Sequence, residues 1–166
     1  MKFKKATNKD IQQIMDIIEQ AKISLKENGI DQWQDGYPNQ DTILTDIIQG
    51  QSYILEKDNN IIATVMISSQ KDPNYTRIED GCWLQDGSYS VIHRIAINPL
   101  YKGRNIASIV IQNAYLLYPN VHSIRADTHE HNIAMQRLLE KNSFQYCGII
   151  YLSDGSKRRA YEKVLR

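Results

Sequence analysis

The amino-acid sequence predicts an α+β domain in which a mixed, mostly antiparallel sheet is flanked by helices. Segments with the apolar spacing of amphipathic helices are interspersed with short runs rich in β-branched residues. Turn residues join two pairs of these runs as hairpins, and a further run leads through a turn into a helix. A chain of 166 residues is long enough for a substantial core, so we expect one domain over residues 1–166.

The first elements are a short strand and a long amphipathic helix. Phe3–Ala6 is the strand, and Thr7 with Asp10 resembles a capping box at the start of the helix. The helix should end near Gly29, which can adopt the left-handed conformation of a C-terminal cap. Its apolar residues fall on one face: Ile11, Ile14, Met15, Ile18, Ala21 and Leu25.

A second helix and a hairpin follow an irregular stretch. Asp41 is expected to cap this helix, and Gly50 is expected to end it. Ser52–Glu56 and Ile61–Ser68 are predicted strands, and the turn residues Lys57–Asn60 between them indicate a hairpin.

The second half of the chain contains a turn-rich excursion, a strand–turn–helix segment and a terminal hairpin. Residues 70–88 are interrupted by proline and glycine, so we expect an ordered excursion there. Val91–Ile97 is an apolar strand. Phe144–Leu152 and Arg158–Leu165 flank Asp154-Gly155, a strong hairpin signal.

Composition and charge exclude several classes of protein. A net charge of +1 gives no reason to expect nucleic acid or an anionic membrane as a partner. The two cysteines, Cys82 and Cys147, have neither a disulfide-framework pattern nor metal-ligand spacing. No apolar run approaches the length of a membrane span, and the first residues lack the apolar run of a secretory signal. We therefore expect a cytoplasmic protein, with the oligomeric state open and a homodimer among the alternatives.

The segment Tyr101–Ser108 is a candidate anion site. It joins the Val91–Ile97 strand to an amphipathic helix, whose first N–H groups and dipole favour a negative charge. Lys102 and Arg104 add two cations, which suit a pyrophosphate better than a carboxylate. The alternative from this segment alone is an ordinary strand-to-helix turn with solvated side chains.

Three consecutive segments together resemble the GNAT superfamily of acyl-CoA-dependent N-acyltransferases. They are Val91–Ser108, Arg125–Asn132 and Met135–Phe144. In that family a strand, a Gln/Arg-x-x-Gly-x-Gly/Ala turn and a helix precede a second strand, and an Asn then opens a helix that ends in Gly-Phe. The resemblance is strong from Val91 to about Gly148 and implies acetyl transfer from acetyl-CoA, without a metal, to a small-molecule or peptide amine.

The sequence departs from the family pattern at three positions in these motifs. Lys102 replaces the usual Gln or Arg, Asn105 the usual Gly, and Ser143 the Gly before Phe144. Asn adopts left-handed backbone more readily than most residues, so Asn105 should disturb the turn least.

The resemblance implies how acetyl-CoA is held. Pantetheine would pair with the strand backbone, and the pyrophosphate would meet the amides at the helix start. Asn132 would bond the pantetheine arm, although capping its own helix is an equal alternative. The implied cofactor residues are Ile95, Ala96, Ile97, Lys102, Gly103, Arg104, Asn105, Ile106, Ala107, Ser108 and Asn132.

His93 is the candidate general base. Strand alternation places it on the same side as Ile95, and several GNAT members that act on arylalkylamines carry His at the matching position. Imidazole accepts protons near neutral pH, directly or through water. The alternative is a hydrogen-bonded structural histidine. The family also implies that a backbone N–H near Ile95 stabilises the thioester oxygen, which requires a bulge in the strand.

The group that would protonate the departing thiolate is missing. Leu139 lies where the family commonly has a Tyr, so Tyr146, His129 or Cys147 substitutes or the thiolate leaves without an acid. This departure also motivates a rival hypothesis, a non-catalytic acyl-CoA-binding module.

Candidate acceptor contacts are Trp33, Tyr37 and Asp127. The two aromatics lie in the irregular segment where GNAT folds commonly contact the acceptor, although Trp33 could instead cover the core. Asp127 could anchor a cationic amine or cap the following turn. His129 and His131 alone are a weak metal signal, so no metal site is predicted. The identity of the acceptor amine and the acyl-chain length remain open at this point.

Overall fold

The computed structural model describes residues 1–166 and contains a seven-stranded sheet and four α-helices. None of the helices is both long enough and apolar enough to cross a membrane. The strands are β1 (Lys2–Lys5), β2 (Ser52–Lys57), β3 (Asn60–Ser68), β4 (Tyr89–Ile97), β5 (Ser123–Thr128), β6 (Gln145–Tyr151) and β7 (Lys157–Val164). The helices are α1 (Ile11–Glu27), α2 (Gln40–Ile48), α3 (Ile106–Leu117) and α4 (Ile133–Lys141).

The sheet is mixed and mostly antiparallel, with the strand order β1-β2-β3-β4-β5-β7-β6. The pairs β1–β2, β2–β3, β5–β7 and β6–β7 are antiparallel, whereas β4 and β5 are parallel. A parallel pair needs a crossover connection, and the chain between these two strands contains α3. The predicted fold class is confirmed.

The chain divides into two compact units. One comprises Met1–Ile67 and Arg94–Ala114, and the other comprises Ser68–His93 and Tyr115–Arg166. The boundary between the units falls inside β4, between His93 and Arg94. The expectation of one domain over residues 1–166 stays a prediction.

The first unit has its own apolar core, to which α1 contributes three isoleucines. The predicted capping box is present, since Asp10 Oδ2 accepts from Thr7 N at 2.7 Å. A short 3₁₀ turn precedes the helix, and Gly29 follows it with φ +70°. The buried cluster comprises Ala6, Ile14, Ile17, Ile18, Ile43, Ile54, Ile61 and Ala96.

The start of α2 differs from the prediction. Asn39, and not Asp41, is the N-cap, because its backbone is extended and its Oδ1 accepts from Thr42 N at 2.9 Å. Asp41 lies in the first turn, where a carboxylate still favours the helix dipole. The β2–β3 hairpin closes through Asp58 and Asn59, whose φ angles of +50° and +63° are those of a tight two-residue turn.

The second unit contains the terminal hairpin and the excursion. Gly155 at φ +84° lies in the predicted turn between β6 and β7. The excursion is ordered by a 3₁₀ turn at Pro73–Tyr75 and by an antiparallel bridge between Glu79 and Ile149. Large side chains buried in this unit include Tyr75, Ile124, Leu139, Phe144, Ile150 and Tyr161.

Candidate active site

His93 lies between two carboxylates of its own unit. Its Nε2 is 2.7 Å from Asp72 Oδ2, and its Nδ1 is 3.8 Å from Asp127 Oδ2. The three side chains are 19%, 15% and 12% exposed, so they are recessed but accessible to solvent. The two carboxylates orient the imidazole of His93 and place two negative charges beside it.

Tyr75 contacts both Asp127 and His93. Its hydroxyl donates to Asp127 Oδ2 at 2.6 Å, and its ring lies 5.8 Å from the ring of His93. Burial, followed by the charge of Asp127, raises the pKa of Tyr75 well above its ordinary value. The hydroxyl therefore remains protonated at neutral pH and serves as a hydrogen-bond donor to Asp127.

Asp72 is held by its own short turn. Its Oδ1 accepts from Asn74 N at 2.8 Å, and its backbone N–H donates to the hydroxyl of Tyr89 at 3.1 Å. One carboxylate oxygen thus orders the Pro73–Tyr75 turn while the other faces His93. These contacts limit the freedom of the Asp72 carboxylate relative to the imidazole.

A buried ion pair attaches the excursion to the sheet of this unit. Glu162 in β7 is fully buried, and its Oε1 accepts from Arg125 Nε at 2.9 Å. Its Oε2 accepts from the backbone N–H of Leu84 at 2.6 Å, and Oε1 also accepts from Gln85 Nε2 at 3.1 Å and Ser123 Oγ at 2.5 Å. Burial would raise the pKa of Glu162, but these hydrogen bonds outweigh it and lower the pKa below its ordinary value of 4.5. The pair therefore stays charged at neutral pH.

The cation of this pair is enclosed by aromatic rings. The guanidinium carbon of Arg125 lies 4.1 Å from the ring centre of Trp83 and 4.0 Å from that of Tyr89. Trp83 also donates from Nε1 to the carbonyl of Tyr75 at 2.9 Å. The contacts of Arg125 and Glu162 thus extend to the segment that carries Asp72 and Tyr75.

The candidate phosphate turn has the backbone that the sequence predicts. Gly103 and Asn105 have φ angles of +75° and +60°, so the replacement of the family glycine by Asn keeps the left-handed conformation. A Cβ on Gly103 would meet no protein atom within 4 Å, so conformation and not packing requires the glycine. Both residues are exposed, and α3 begins directly after them at Ile106.

The two cations of this turn contact nearby protein groups. Lys102 Nζ is 3.4 Å from Ser24 Oγ of α1, and the guanidinium of Arg104 lies 5.3 Å from the ring centre of Tyr101. Both side chains are exposed. Ser108, by contrast, is buried, and Ala107 is half-buried in the first turn of α3. The apolar face of α3 buries Ile106, Val110, Ile111 and Ala114, all in the part of the helix that belongs to the first unit.

The strand segment before the turn is interrupted by an unusual backbone conformation. Arg94 has φ +52° in the middle of β4, so the alternation assumed from Val91 to Ile97 is not continuous. A left-handed residue in a strand re-aims the peptide group that follows it, as in a β-bulge. Ala96 is buried in the core of its unit, and Ile95 and Ile97 are half-buried.

In the second unit, α4 carries two of the positions that the family pattern singles out. Asn132 caps this helix, since its Oδ1 accepts from Met135 N at 3.1 Å. Leu139 is fully buried, so it belongs to the core and cannot meet a substrate. Ser143 follows the helix at φ +68°, the left-handed conformation that explains why the family has glycine there.

The aromatic acceptor candidates have structural contacts in the first unit. Trp33 packs against the apolar core and lines an open groove beside α1 with Lys22 and Lys26. Tyr37 is exposed, and its hydroxyl accepts from Arg94 Nη1 at 2.6 Å. Trp33 thus covers the core with part of its ring, while Tyr37 is tied to the irregular residue of β4.

The remaining candidates for acid or metal chemistry are constrained by their surroundings. No group of three or more His, Cys, Asp or Glu side chains is arranged to hold a metal ion. His129 and His131 lie with ring centres 5.2 Å apart. Burial raises the pKa of Cys147 to about 11, and Tyr146 is exposed beneath the guanidinium of Arg159 at 4.1 Å.

Sequence reasoning did not identify Asp72 and Tyr75 as neighbours of His93 and Asp127, and it did not identify the ion pair of Arg94 with Asp46 in the other unit. Asp72 directly precedes Pro73, which is a local turn signal and gives no indication of a partner 21 residues away. Tyr75 lies 52 residues from Asp127 in the sequence. Only the folded excursion brings the side chains of Asp72 and Tyr75 to His93 and Asp127.

Comparison with known proteins identifies relatives of the whole chain. A family model described as the acetyltransferase (GNAT) family matches residues 12–144. An acetyltransferase of the GNAT family from Streptococcus agalactiae has a similar structure, with a TM-score of 0.92 and 35% sequence identity, covering 99% of this chain and 95% of that one. Among curated proteins, none matches the sequence.

Two further structures share the fold at lower identity. A GNAT-family acetyltransferase from Listeria monocytogenes has a TM-score of 0.75 and 24% identity, with 99% of this chain and 94% of that one covered. An acetyltransferase from Staphylococcus aureus, whose function is assigned provisionally, has a TM-score of 0.71 and 24% identity over the full length of both chains. At this identity the likeness extends to the fold alone.

Proposed function

Because the chain belongs to the GNAT family of acyl-CoA-dependent N-acetyltransferases, we propose that it transfers an acetyl group to a primary amine by direct attack of that amine on the thioester of acetyl-CoA. We assign the general base to His93. The observation that carries this assignment is the position of its imidazole between the carboxylates of Asp72 and Asp127.

The donor would be held by the turn before α3 and by the strand segment Ile95–Ile97. Acetyl-CoA supplies the acyl group as an activated thioester. The left-handed Gly103 and Asn105 are exposed directly before the helix start, and a Cβ on Gly103 would meet no protein atom within 4 Å, which fits a bulky pyrophosphate. Lys102 and Arg104 are exposed and long enough to turn from their present contacts toward an anion. Asn132, whose Oδ1 caps α4 by accepting from Met135 N at 3.1 Å, is a further proposed contact of the pantetheine arm.

Asp72 would select the tautomer of His93. A neutral imidazole carries its proton on one nitrogen, and the 2.7 Å contact with a carboxylate favours Nε2–H. Nδ1 is then the acceptor, and it faces Asp127. Nδ1 would accept the proton of the amine, which leaves an imidazolium between the two carboxylates.

Asp127 would bind the amine as its ammonium form before deprotonation. Its Oδ2 lies 3.8 Å from His93 Nδ1, so an ammonium placed between them could donate to both atoms. Asp72 and Asp127 together bring two negative charges, and the nearby Arg125 is already paired with Glu162. A carboxylate beside the reacting nitrogen of the acceptor would be repelled by these charges, so we propose that the acceptor is a cationic primary amine that lacks one.

The departing thiolate would leave without a protein acid. Leu139 cannot donate, and Cys147 is a poor donor because its pKa of about 11 lies above that of an ordinary thiol, about 8.5. The acidity of the CoA thiol makes departure as the thiolate inexpensive at neutral pH.

Trp33 and Tyr37 remain proposed acceptor contacts. Trp33 lines an open groove, and the ring of Tyr37 is exposed.

Replacement of His93 by Ala tests the proposal. We expect kcat to fall by roughly 10² to 10⁴ at neutral pH and to recover as pH rises, because more of the amine is then already neutral. The affinity for acetyl-CoA should change little, since the proposed role is in proton transfer. The measurement is thiol release over a range of pH, and His131→Ala, which removes an exposed imidazole, is the matched control.

Two results would contradict the proposal. A wild-type pH–rate profile in His93→Ala would return His93 to a structural role. In the wild-type enzyme, a panel of primary amines tests the acceptor class, and equal kcat/KM for amines with and without an adjacent carboxylate would refute the selection attributed to Asp72 and Asp127.

A further inference from the structure

Arg94 occupies a backbone conformation that its side chain type does not favour. It has φ +52° within β4, where neighbouring residues are extended. Left-handed backbone is unfavourable for residues with a Cβ, and Asn, Asp and Gly tolerate it best. A long side chain at such a position is therefore kept there by interactions elsewhere.

The side chain of Arg94 is fixed by a bidentate ion pair. Its Nε donates to Asp46 Oδ2 at 2.8 Å and its Nη2 donates to Asp46 Oδ1 at 2.6 Å. A third nitrogen, Nη1, donates to the hydroxyl of Tyr37 at 2.6 Å. Two parallel bonds between a planar guanidinium and a carboxylate define both distance and orientation, so they restrain the backbone to which the guanidinium is attached.

Asp46 is buried among apolar residues, so its carboxylate depends on the ion pair with Arg94. It is 5% exposed on α2, between Ile43, which is buried, and Ile47, which packs against the same core. A carboxylate buried there is unfavourable without its partner. Burial alone would lower the pKa of Arg94, but the hydrogen bond and charge of Asp46 and the contact with Tyr37 raise it, so the guanidinium remains charged.

We propose that Arg94 is a positioning residue, whose ion pair with Asp46 holds β4 in the left-handed conformation that directs the N–H of Ile95 toward the acyl carbonyl. The role of Ile95 rests on the proposed function, whereas the restraint of the backbone rests on the contacts of Arg94 alone. A donor aimed at the developing oxyanion acts on the chemical step and not on cofactor binding.

Two double variants separate backbone conformation from charge. Arg94→Gly with Asp46→Asn and Arg94→Ala with Asp46→Asn both remove the ion pair and both charges. They differ only at the Cβ of residue 94, so they differ in how readily they adopt positive φ. We expect kcat of the Gly variant to exceed that of the Ala variant by about tenfold or more, a part of the 10²- to 10³-fold effect of losing an oxyanion donor.

Further measurements distinguish a folding defect in these variants from the loss of the positioning role of Arg94. The dissociation constant of acetyl-CoA should be similar in both variants, so the loss should fall on kcat. Asp41→Asn removes an exposed carboxylate from the first turn of α2 and keeps the ion pair, so its kcat should stay close to that of wild type. If the Ala variant does not fold, Arg94→Ser with Asp46→Asn replaces it, and its kcat should stay below that of the Gly variant because Ser, like Ala, carries a Cβ that disfavours positive φ.

The outcome can overturn this proposal without overturning the proposed function. Equal kcat in the folded Gly and Ala variants, or wild-type kcat in the Ala variant, would show that Arg94 does not position the donor. If the wild-type enzyme acetylates no amine, the proposed function fails, and the amide resonance of Ile95 still reports on the backbone. We expect that resonance to lie nearer to its wild-type position in the Gly variant than in the Ala variant, and the reverse order would refute the restraint.

Discussion

Replacing Glu162 by Gln should destabilise the protein through the excursion that carries Asp72 and Tyr75. The substitution preserves shape and leaves the guanidinium of Arg125 without its buried counter-charge. Removing one partner of a buried ion pair costs about 3–5 kcal/mol. We expect the lower end, about 3 kcal/mol, because Gln can still accept a hydrogen bond and the rings of Trp83 and Tyr89 still enclose the cation.

Thermal unfolding measures this loss. A change of 1 kcal/mol shifts Tm by about 2–4 °C in a chain of this size, so Glu162→Gln should lower Tm by about 6–12 °C. Hydrogen exchange at the amide of Leu84 should also accelerate, since that N–H donates to Glu162 Oε2. The matched control is Glu79→Gln in the same excursion, whose ion pair with the exposed Arg77 should contribute little.

The effect should depend on pH in a defined direction. The pKa of Glu162 in the folded protein lies below its ordinary value of 4.5, so the carboxylate contributes its full stabilisation above that value. This contribution is lost as pH falls through the folded-state pKa, and the gap in Tm between wild type and Glu162→Gln should narrow there. A gap that is under about 2 °C at neutral pH, or one that widens on acidification, would refute the view that this ion pair anchors the excursion.

Two further predictions concern the donor site. Replacing Lys102 and Arg104 together by Ala should weaken binding of acetyl-CoA by roughly 5- to 150-fold, or about 1–3 kcal/mol. The loss should be smaller at high salt because both side chains are exposed. An unchanged dissociation constant would show that the turn is not part of the binding site. Ala107→Phe should block acetyl-CoA while preserving the circular dichroism spectrum, because bulk in the first turn of α3 obstructs approach to its N–H groups. Normal CoA binding by a folded Ala107→Phe variant would show that the phosphate turn has been assigned to the wrong segment.

The elements of the sheet and helices follow from local patterns in the chain. Apolar residues at helical spacing account for α1, and the Asp154-Gly155 turn accounts for the β6–β7 hairpin. The turn before α3 was equally predictable, since Gly103 and Asn105 both favour the positive φ that they adopt. The start of α2 was not, because Asn39 and Asp41 are both good N-caps and only the extended backbone at Asn39 decides between them.

By itself, the sequence determined the fold class, the family resemblance and the candidate phosphate turn, because each depends on residues that are neighbours along the chain. Only the tertiary structure decided which groups surround His93 and what restrains Arg94. Asp72 is 21 residues from His93, and Asp46 is 48 residues from Arg94. Contacts over such separations depend on strand register and on the path of loops, and they leave no periodic pattern in the local sequence. Burial then gives these distant pairs their effect, because a recessed or buried charge requires a specific partner.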